Sequence, residues 1–230
     1  FLKEFVVKLP EGENLKFKSG GYIQIDVPAL DVDFKDMDID EKYKADWERM
    51  KMFDLKMHNP EPTYRAYSMA NSPAEGNIIM LNIRIATPPF DKAIGGFANV
   101  NPGICSSFIF TRKPGDKVNI SGPYGEFFLR DTNNEMMFIG GGAGMAPMRS
   151  HIFNLFHTMH TDRKVSFFYG ARALQEAPYV DEFNKIQAEN PNFHWTLALD
   201  KPDPVADAAG VAYTPGFVHQ VIYETYLKNH

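Results

Sequence analysis

Alternating apolar and polar residues characterise the first half of the chain and predict short strands separated by turns. Successive side chains of a strand point to opposite faces, so this alternation gives each strand one apolar face. The predicted strands lie at 1–9, 22–27, 63–68, 78–86 and 118–121. Short strands bounded by glycine, proline and asparagine favour a β-barrel or a sandwich, which we assign to residues 1–130.

The segment 31–62 interrupts this pattern and is predicted to be an insertion in the first domain. It is rich in aspartate with apolar residues interleaved, and residues 43–50 predict a short helix. Long excursions between strands are often functional or mobile. Two interpretations stay open for the insertion: a solvated loop, or a surface that docks a partner.

The hydrophobic pattern changes after a polar linker at 131–134. A buried strand is predicted at 135–139, and it runs directly into the glycine-rich loop Gly140–Pro147. Apolar residues then recur at helical spacing from Met145 to Met159. Strand, glycine loop and helix together predict the start of a βαβ unit.

The rest of the second half continues the alternation of strands and helices. Strands are predicted at 164–172 and 193–200, helices at 177–189 and 216–227, and a loop at 203–216. Residues 135–230 are therefore predicted to form an α/β domain with a parallel sheet. Because three parallel strands make an incomplete sheet, we expect the C-terminal part of this domain to be missing.

Composition excludes several classes of function. With 230 residues and a formal net charge of −5, the chain is not expected to bind nucleic acid. Its one cysteine, Cys105, cannot form an internal disulfide, a cysteine-rich zinc site or an iron–sulfur cluster, and no metal site is predicted. No apolar run reaches the roughly 18 residues of a membrane span. The chain begins at Phe1 within a predicted strand, so we expect a soluble piece of a longer protein.

The strand at 63–68 carries the strongest candidate chemistry of the first half. Arg65 can clamp a phosphate, Tyr67 can lie against an aromatic ring, and Ser68 can hydrogen-bond a ring heteroatom. A flavin nucleotide, with a pyrophosphate at one end and a tricyclic ring at the other, fits all three roles. The alternative is a half-buried strand with an arginine on the surface.

The next long strand offers further candidate contacts to the same ligand. Asn82, Arg84 and Ala86 share one face of the strand predicted at 78–86. We assign all three to the cofactor site. For Arg84 two interpretations stay open: a second phosphate or ribose contact, or an exposed strand arginine.

A predicted helix N-terminus within 101–111 is a second candidate anchor for the pyrophosphate. A Pro-Gly turn there is followed by two serines, and the unsatisfied first N–H groups of a helix favour an anion. The alternative is that Ser106 only caps its own helix. Cys105 is predicted to pack nearby as a small hydrophobe. The residues of this turn assigned to the cofactor site are Gly103, Cys105, Ser106 and Ser107.

In the second half, the glycine loop and the strand ends are the candidate nucleotide site. Glycines let the backbone approach a pyrophosphate at the helix N-terminus, although Pro147 stands where a dinucleotide fingerprint has its third glycine. Ligands bind beyond the carboxyl ends of parallel strands. The residues indicated by this rule are Gly170, Ala171, Arg172 and Asp200.

Arg65-Ala66-Tyr67-Ser68 in a strand-rich half, followed by Gly-Gly-Gly-x-Gly-x-x-Pro at 140–147, resembles the ferredoxin–NADP reductase superfamily. The runs Arg65–Pro73 and Phe138–Ser150 are similar in particular to the F subunits of bacterial sodium-translocating NADH:quinone oxidoreductases. The resemblance implies a six-stranded antiparallel FAD barrel followed by an NADH-binding α/β domain. It also implies that Tyr67 lies on the flavin ring and Ser68 near its reactive nitrogen, as the catalytic pair. The nicotinamide-dinucleotide loop that it implies consists of Gly142, Gly144, Pro147 and Arg149.

The resemblance further implies a reaction and an assembly. Hydride would pass from NADH to FAD N5, and single electrons would then reach a [2Fe–2S] centre present only in the full-length protein. A membrane anchor and the [2Fe–2S] domain would precede residue 1, and a Cys-Gly-Pro-Pro motif and a terminal aromatic residue would follow residue 230. The full-length protein would join other subunits of a membrane-bound quinone reductase at the cytoplasmic face of the bacterial inner membrane.

Asp200 bears on the choice between NADH and NADPH. A carboxylate near the ribose repels a 2′-phosphate and accepts hydrogen bonds from the ribose hydroxyls, which favours NADH, whereas Arg172 argues the other way. Two other functions stay open. One is an NADPH-linked flavoreductase or oxygenase reductase, and the other is a non-catalytic module that docks a redox partner and carries a structural flavin.

Overall fold

The computed structural model describes residues 1–229. The strands are β1 (Leu2–Lys8), β2 (Tyr22–Val27), β3 (Leu30–Asp33), β4 (Lys56–Asn59), β5 (Thr63–Ser68), β6 (Ile78–Arg84), β7 (Phe90–Asp91), β8 (Gly96–Phe97), β9 (Ile120–Tyr124), β10 (Met136–Gly141), β11 (Val165–Ala171), β12 (Phe193–Leu199) and β13 (Thr214–Pro215). The helices are α1 (Glu41–Arg49), α2 (Ile104–Phe110), α3 (Met145–Phe153), α4 (Val180–Glu189), α5 (Pro204–Ala209) and α6 (Val218–Thr225). Every strand and helix predicted from the sequence has a counterpart, which confirms the order of elements.

The chain divides into two compact units by the contacts between its residues. The first comprises residues 1–21, 68–82 and 123–230, and the second comprises residues 22–67 and 83–122. Each unit is therefore built from segments distant in sequence. The predicted domain boundary at 130–135 divides the chain at a single place, unlike these two units. It stays a prediction.

A parallel sheet in the order β10-β11-β12-β13 forms the framework of the first unit. The expectation of three strands and a loop at 203–216 was wrong, because this stretch contains α5 and the fourth strand, β13. β13 has two residues, and Thr214 pairs with Ala198 of β12. A strand this short leaves no alternating pattern in the sequence.

Both faces of the parallel sheet are covered by helices. On one face Phe183 of α4 packs against Phe167 and Trp195, with ring centroids 5.0 Å and 5.4 Å apart respectively. On the other face Val221 of α6 belongs to a smaller buried cluster with Phe168. Burial on both faces explains why β11 is an almost unbroken apolar run.

The strand-rich first half is confirmed, but its strands form several small sheets. These are the three-stranded sheet β5-β2-β9 and the pairs β1-β6, β3-β4 and β7-β8. Within residues 1–229 they do not join into the single closed barrel that the resemblance implied. β9 also lies later than the predicted strand at 118–121, because Gly122 and Pro123 carry the sequence signals of a turn.

The insertion is a folded part of the second unit, and its interpretation as a solvated insertion stays a prediction. β3 and β4 pair antiparallel at its two ends, and α1 lies between them. Trp47 of α1 is 2% exposed, with its ring centroid 5.4 Å from that of Phe53 and 6.5 Å from that of Phe110 in α2. The interpretation as a docking surface stays a prediction.

Candidate functional site

Arg65 lies on β5 as an exposed cation. Its Nη1 donates to the neighbouring Tyr64 carbonyl at 3.2 Å, and among residues 1–229 no carboxylate pairs with it. An arginine without an internal anion is suited to bind an external phosphate.

Tyr67 and Cys105 provide the apolar surroundings of this cation. Burial raises the pKa of the Tyr67 hydroxyl, and Cys105 adds to the rise while Arg65 opposes it. Burial also raises the pKa of the Cys105 thiol, and Arg65 opposes that rise as well. Cys105 is 3% exposed, which confirms the prediction that it packs as a small hydrophobe. Tyr67 therefore keeps a neutral phenol ring near Arg65, and its assignment to the flavin stays a prediction.

The three residues predicted to share one face of β6 have different environments. Asn82 is buried, with Nδ2 donating to the Tyr179 hydroxyl at 2.7 Å and Oδ1 buried without a partner in residues 1–229. Arg84 is exposed. Ala86 lies beyond the strand, and its N–H donates to Ser106 Oγ at 3.1 Å. Ala86 is thus hydrogen-bonded to the first turn of α2, although β7 and β8 lie between them in the chain.

The Pro-Gly turn before α2 is held by its own serines. A Cβ on Gly103 would lie 2.5 Å from the Ala86 Cβ, so only glycine fits there. Ser106 and Ser107 donate to the Gly103 carbonyl at 3.1 Å and 2.7 Å. Ser106 Oγ also accepts from the Ala86 N–H, and Gly103 is the N-cap of α2, so both interpretations of Ser106 stay open. The assignment of this turn to FAD stays a prediction.

The glycine loop leads directly into the N-terminus of α3. Gly142 adopts the left-handed region with φ +53°, and a Cβ on Gly144 would meet no atom within 4 Å. Gly144 is the N-cap of α3 and makes no side-chain cap, and Pro147 lies in the first turn as predicted. The Met145 N–H already donates to carbonyls of this turn, and Met145 and Ala146 are buried, so the exposed backbone at this end is that of Gly141, Ala143 and Gly144.

The carboxyl ends of the parallel strands meet beside this loop. Gly141 pairs with Gly170, and the Asp200 N–H donates to the Ala171 carbonyl at 3.1 Å. The structure thus brings together the glycine loop and the strand-end residues indicated by the sequence. Arg172 also lies at this edge, where its Nε is 3.5 Å from Glu176 Oε2.

Arg149 has protein partners in this structure. It is 5% exposed, and its guanidinium donates to the Ala70 carbonyl and to Glu75. Its assignment to the dinucleotide loop stays a prediction.

Sequence reasoning missed three residues that hold the site. Tyr169 is fully buried and donates its hydroxyl to the Gly142 carbonyl at 2.9 Å, which ties the glycine loop to β11. Glu75 pairs with Arg149, and Ser150 donates to the Asn71 carbonyl at 2.8 Å. Each contact joins residues far apart in sequence, so no local pattern could reveal it.

The residues present fit FAD and NADH on structural grounds. Arg65 is an exposed cation suited to one pyrophosphate, and the exposed glycine loop before α3 is suited to the close approach of another. In agreement, residues 49–129 match the model of the oxidoreductase FAD-binding domain, and residues 138–230 match that of the oxidoreductase NAD-binding domain.

Curated relatives match the chain over its full length. The chain is 54% identical over 230 residues to the F subunit of the Na(+)-translocating NADH-quinone reductase of Colwellia psychrerythraea, of which it covers 73%. The chain belongs to the family of F subunits of Na(+)-translocating NADH-quinone reductases. It is 56% identical to the F subunit of Methylococcus capsulatus and spans 55% of that protein's length.

Solved structures similar to this chain establish a ferredoxin-reductase-like fold. The cytochrome b5 reductase domain of Ulva prolifera nitrate reductase aligns with a TM-score of 0.64 and 16% identity, over 94% of this chain and 72% of the other. The Amycolatopsis cytochrome P450 reductase GcoB aligns with a TM-score of 0.62 and 24% identity, over 98% and 53% respectively.

Residues 1–229 contain neither a candidate membrane span nor a candidate metal centre. No helix there combines the length and apolarity needed to cross a lipid bilayer. No group of three or more histidine, cysteine, aspartate or glutamate side chains in that range is arranged to hold a metal ion.

Proposed function

We propose that this chain is the NADH-oxidising, FAD-carrying part of a sodium-translocating NADH:quinone oxidoreductase. The observation that carries the proposal is the edge of the parallel sheet, where the exposed glycine loop before α3 lies beside the strand ends at Gly170, Ala171 and Asp200. An FAD-binding family domain in the same chain supplies the acceptor.

The chain's own residues bind and orient the two cofactors. Arg65 binds the FAD pyrophosphate, Tyr67 packs on the flavin ring, and the Ser68 hydroxyl holds a hydrogen bond at N5. The N–H groups of the glycine loop bind the pyrophosphate of NADH. When bound, NADH would supply a hydride donor and FAD an acceptor able to release single electrons, for which the proposed destination is the [2Fe–2S] centre of the full-length protein.

NADH is the proposed donor in preference to NADPH. Asp200 supplies a carboxylate at the ribose end of the site, where it repels a 2′-phosphate. Arg172, the cation that would favour NADPH, faces Glu176 at 3.5 Å. We expect a steady-state comparison to give a higher kcat/KM for NADH, and a higher value for NADPH would contradict this choice.

The proposal extends to the assembly in which the full-length protein acts. We infer that it joins the other subunits of a membrane-bound quinone reductase complex, at the cytoplasmic face of the bacterial inner membrane. Membership of the family of F subunits supports this inference.

The test is to load the purified protein with FAD, identify the released nucleotide by mass, and add NADH without oxygen. We expect prompt bleaching of the visible absorbance of the oxidised flavin. The double variant R65A/Y67A should lose FAD, while the control Y43A/R49A, on α1 of the same unit, should retain it. Retention of FAD by R65A/Y67A would overturn the flavin site, and bound FAD that NADH does not bleach would favour a structural flavin.

A further inference from the structure

Two buried residues of α3 donate hydrogen bonds to the backbone immediately after Ser68. Arg149 Nη1 donates to the Ala70 carbonyl at 3.0 Å, and Ser150 Oγ donates to the Asn71 carbonyl at 2.8 Å. Arg149 is five residues beyond Gly144, and Ala70 is two residues beyond Ser68. The helix that starts at the glycine loop is thus bound to the segment that follows the proposed flavin serine.

Glu75 fixes the orientation of Arg149. Its Oε2 and Oε1 accept from Nη1 and Nη2 at 2.8 Å each, a two-point geometry that constrains both groups. The side chains of Arg149 and Glu75 are 6% and 27% exposed. The guanidinium carbon also lies 3.9 Å from the centroid of the Phe153 ring and 4.8 Å from that of Tyr179. Hydrogen bonds therefore fix the edge of the Arg149 guanidinium, and two aromatic rings pack against it.

Residues 69–71, which Arg149 and Ser150 contact, are also held by further hydrogen bonds. The Asn71 side chain donates to the Ile78 carbonyl at 2.8 Å and accepts from Met80 N–H at 2.9 Å. The Met69 N–H donates to the Gly21 carbonyl at 3.0 Å. A shift of α3 would therefore move the backbone next to Ser68 instead of being absorbed by a flexible turn.

We propose that Arg149, Glu75 and Ser150 are positioning residues that set the Ser68 hydroxyl relative to the glycine loop, and thereby the geometry in which NADH reduces the flavin. The proposal rests on the proposed function. The two-point hydrogen bonding between Arg149 and Glu75 fixes the orientation of both groups, which is the property that a positioning role needs. Hydride transfer is sensitive to such geometry, since a misplacement of about 1 Å can cost on the order of 100-fold in rate.

The experiment compares E75Q and S150A with wild type in the FAD-loaded protein under anaerobic stopped flow. At saturating NADH we expect the bleaching rate to fall about tenfold or more in E75Q and severalfold in S150A. FAD content and the NADH dissociation constant should stay within about twofold of wild type, as should the rate of flavin reduction by dithionite, which needs no glycine loop. E135Q, which removes the exposed ion pair with Lys164, serves as the matched control with a wild-type rate.

A second readout needs no cofactor. In the flavin-free protein, hydrogen exchange at the Met69 and Ala70 amides should accelerate in E75Q and S150A and stay unchanged in E135Q. If E75Q does not fold, S150A carries the test alone, because it deletes a single hydrogen bond.

The outcomes separate this proposal from the function on which it rests. Wild-type bleaching rates in both variants, or an equal loss with NADH and dithionite, would overturn the positioning role and leave the reductase function intact. A wild-type protein that binds FAD and is not bleached by NADH would overturn the proposed function, and this proposal with it.

Discussion

Individual glycines of the nucleotide-binding edge are glycine for different physical reasons. A Cβ on Gly144 would meet nothing within 4 Å, so folding does not require glycine there. A Cβ on Gly170 would lie 3.0 Å from the Val218 Cβ of α6. The structure therefore explains Gly170 by helix packing and shows no packing reason for a glycine at position 144.

The variants G144A and G170A should consequently fail in different ways. We expect G144A to keep its unfolding free energy within about 0.5 kcal/mol and to bind NADH about 10-fold to 100-fold more weakly, since the new methyl group separates the loop N–H groups from the phosphate. G170A should lose about 1–3 kcal/mol of stability by overpacking. Urea unfolding and calorimetric titration with NADH measure the two effects. If G144A binds NADH with wild-type affinity, the assignment of the pyrophosphate to the glycine loop is wrong.

Among the secondary-structure elements, the insertion contributes to the core despite its polar composition. The helix α1 begins after its N-cap Asp40, whose side chain accepts the Lys42 N–H, and it buries Trp47. Aspartates dominate the sequence of this segment because they cap turns and face solvent. The insertion also buries Phe34, Met52 and Met57, so Trp47 is one of several apolar anchors.

Replacing Trp47 should therefore destabilise the protein as a core substitution does. We expect W47A to lower the unfolding free energy by about 3–5 kcal/mol, while E48A, an exposed position on the same helix, changes it by less than about 0.5 kcal/mol. The check is the urea midpoint of each variant at constant slope. A loss below about 1 kcal/mol in W47A would mean that the insertion folds independently of the core.

Across the protein as a whole, His151 of α3 lies where the N-terminal segment meets the segment that follows β9. It is 1% exposed, and its Nε2 donates to the Phe127 carbonyl at 2.9 Å. Its Nδ1 is buried without a partner in residues 1–229. The same carbonyl would lie 1.9 Å from a Cβ on Gly20, so the three segments meet without spare room. Protonation of His151 would place a charge at this junction.

The stability of the protein should therefore fall on mild acidification. Burial lowers the pKa of His151 below its ordinary value of 6.5, although the hydrogen bond to Phe127 opposes this. Because the unfolded chain takes up the proton first, stability is complete above that ordinary value and is lost as the pH falls through it, by at most about 1.4 kcal/mol per pH unit.

Urea unfolding from pH 7.5 down to pH 5 tests this pH dependence, with H151Q as the comparison. The glutamine side chain in that variant keeps an N–H donor and cannot titrate, so we expect its stability to vary less over this range. The pKa of Glu75 is also lowered, since its hydrogen bond to Arg149 and its other polar contacts outweigh burial, but that carboxylate titrates at lower pH. If the unfolding free energy changes equally with pH in wild type and H151Q, groups other than His151 cause the acid sensitivity.

Patterns along the chain were enough to establish the order of elements, the two cofactor-binding halves and the glycine loop. These features depend on periodicity and on local backbone requirements, which neighbouring residues encode. The exposed Arg65 and the glycine loop were found for the same reason, because each belongs to a contiguous motif.

How distant segments combine became apparent only from the folded chain. The fourth strand β13, the folded insertion, the separate small sheets and the partners of Arg149 all depend on contacts between residues far apart in the chain. Such contacts are selected by packing and by pairing of buried polar groups, and neither leaves a periodic signal in the sequence.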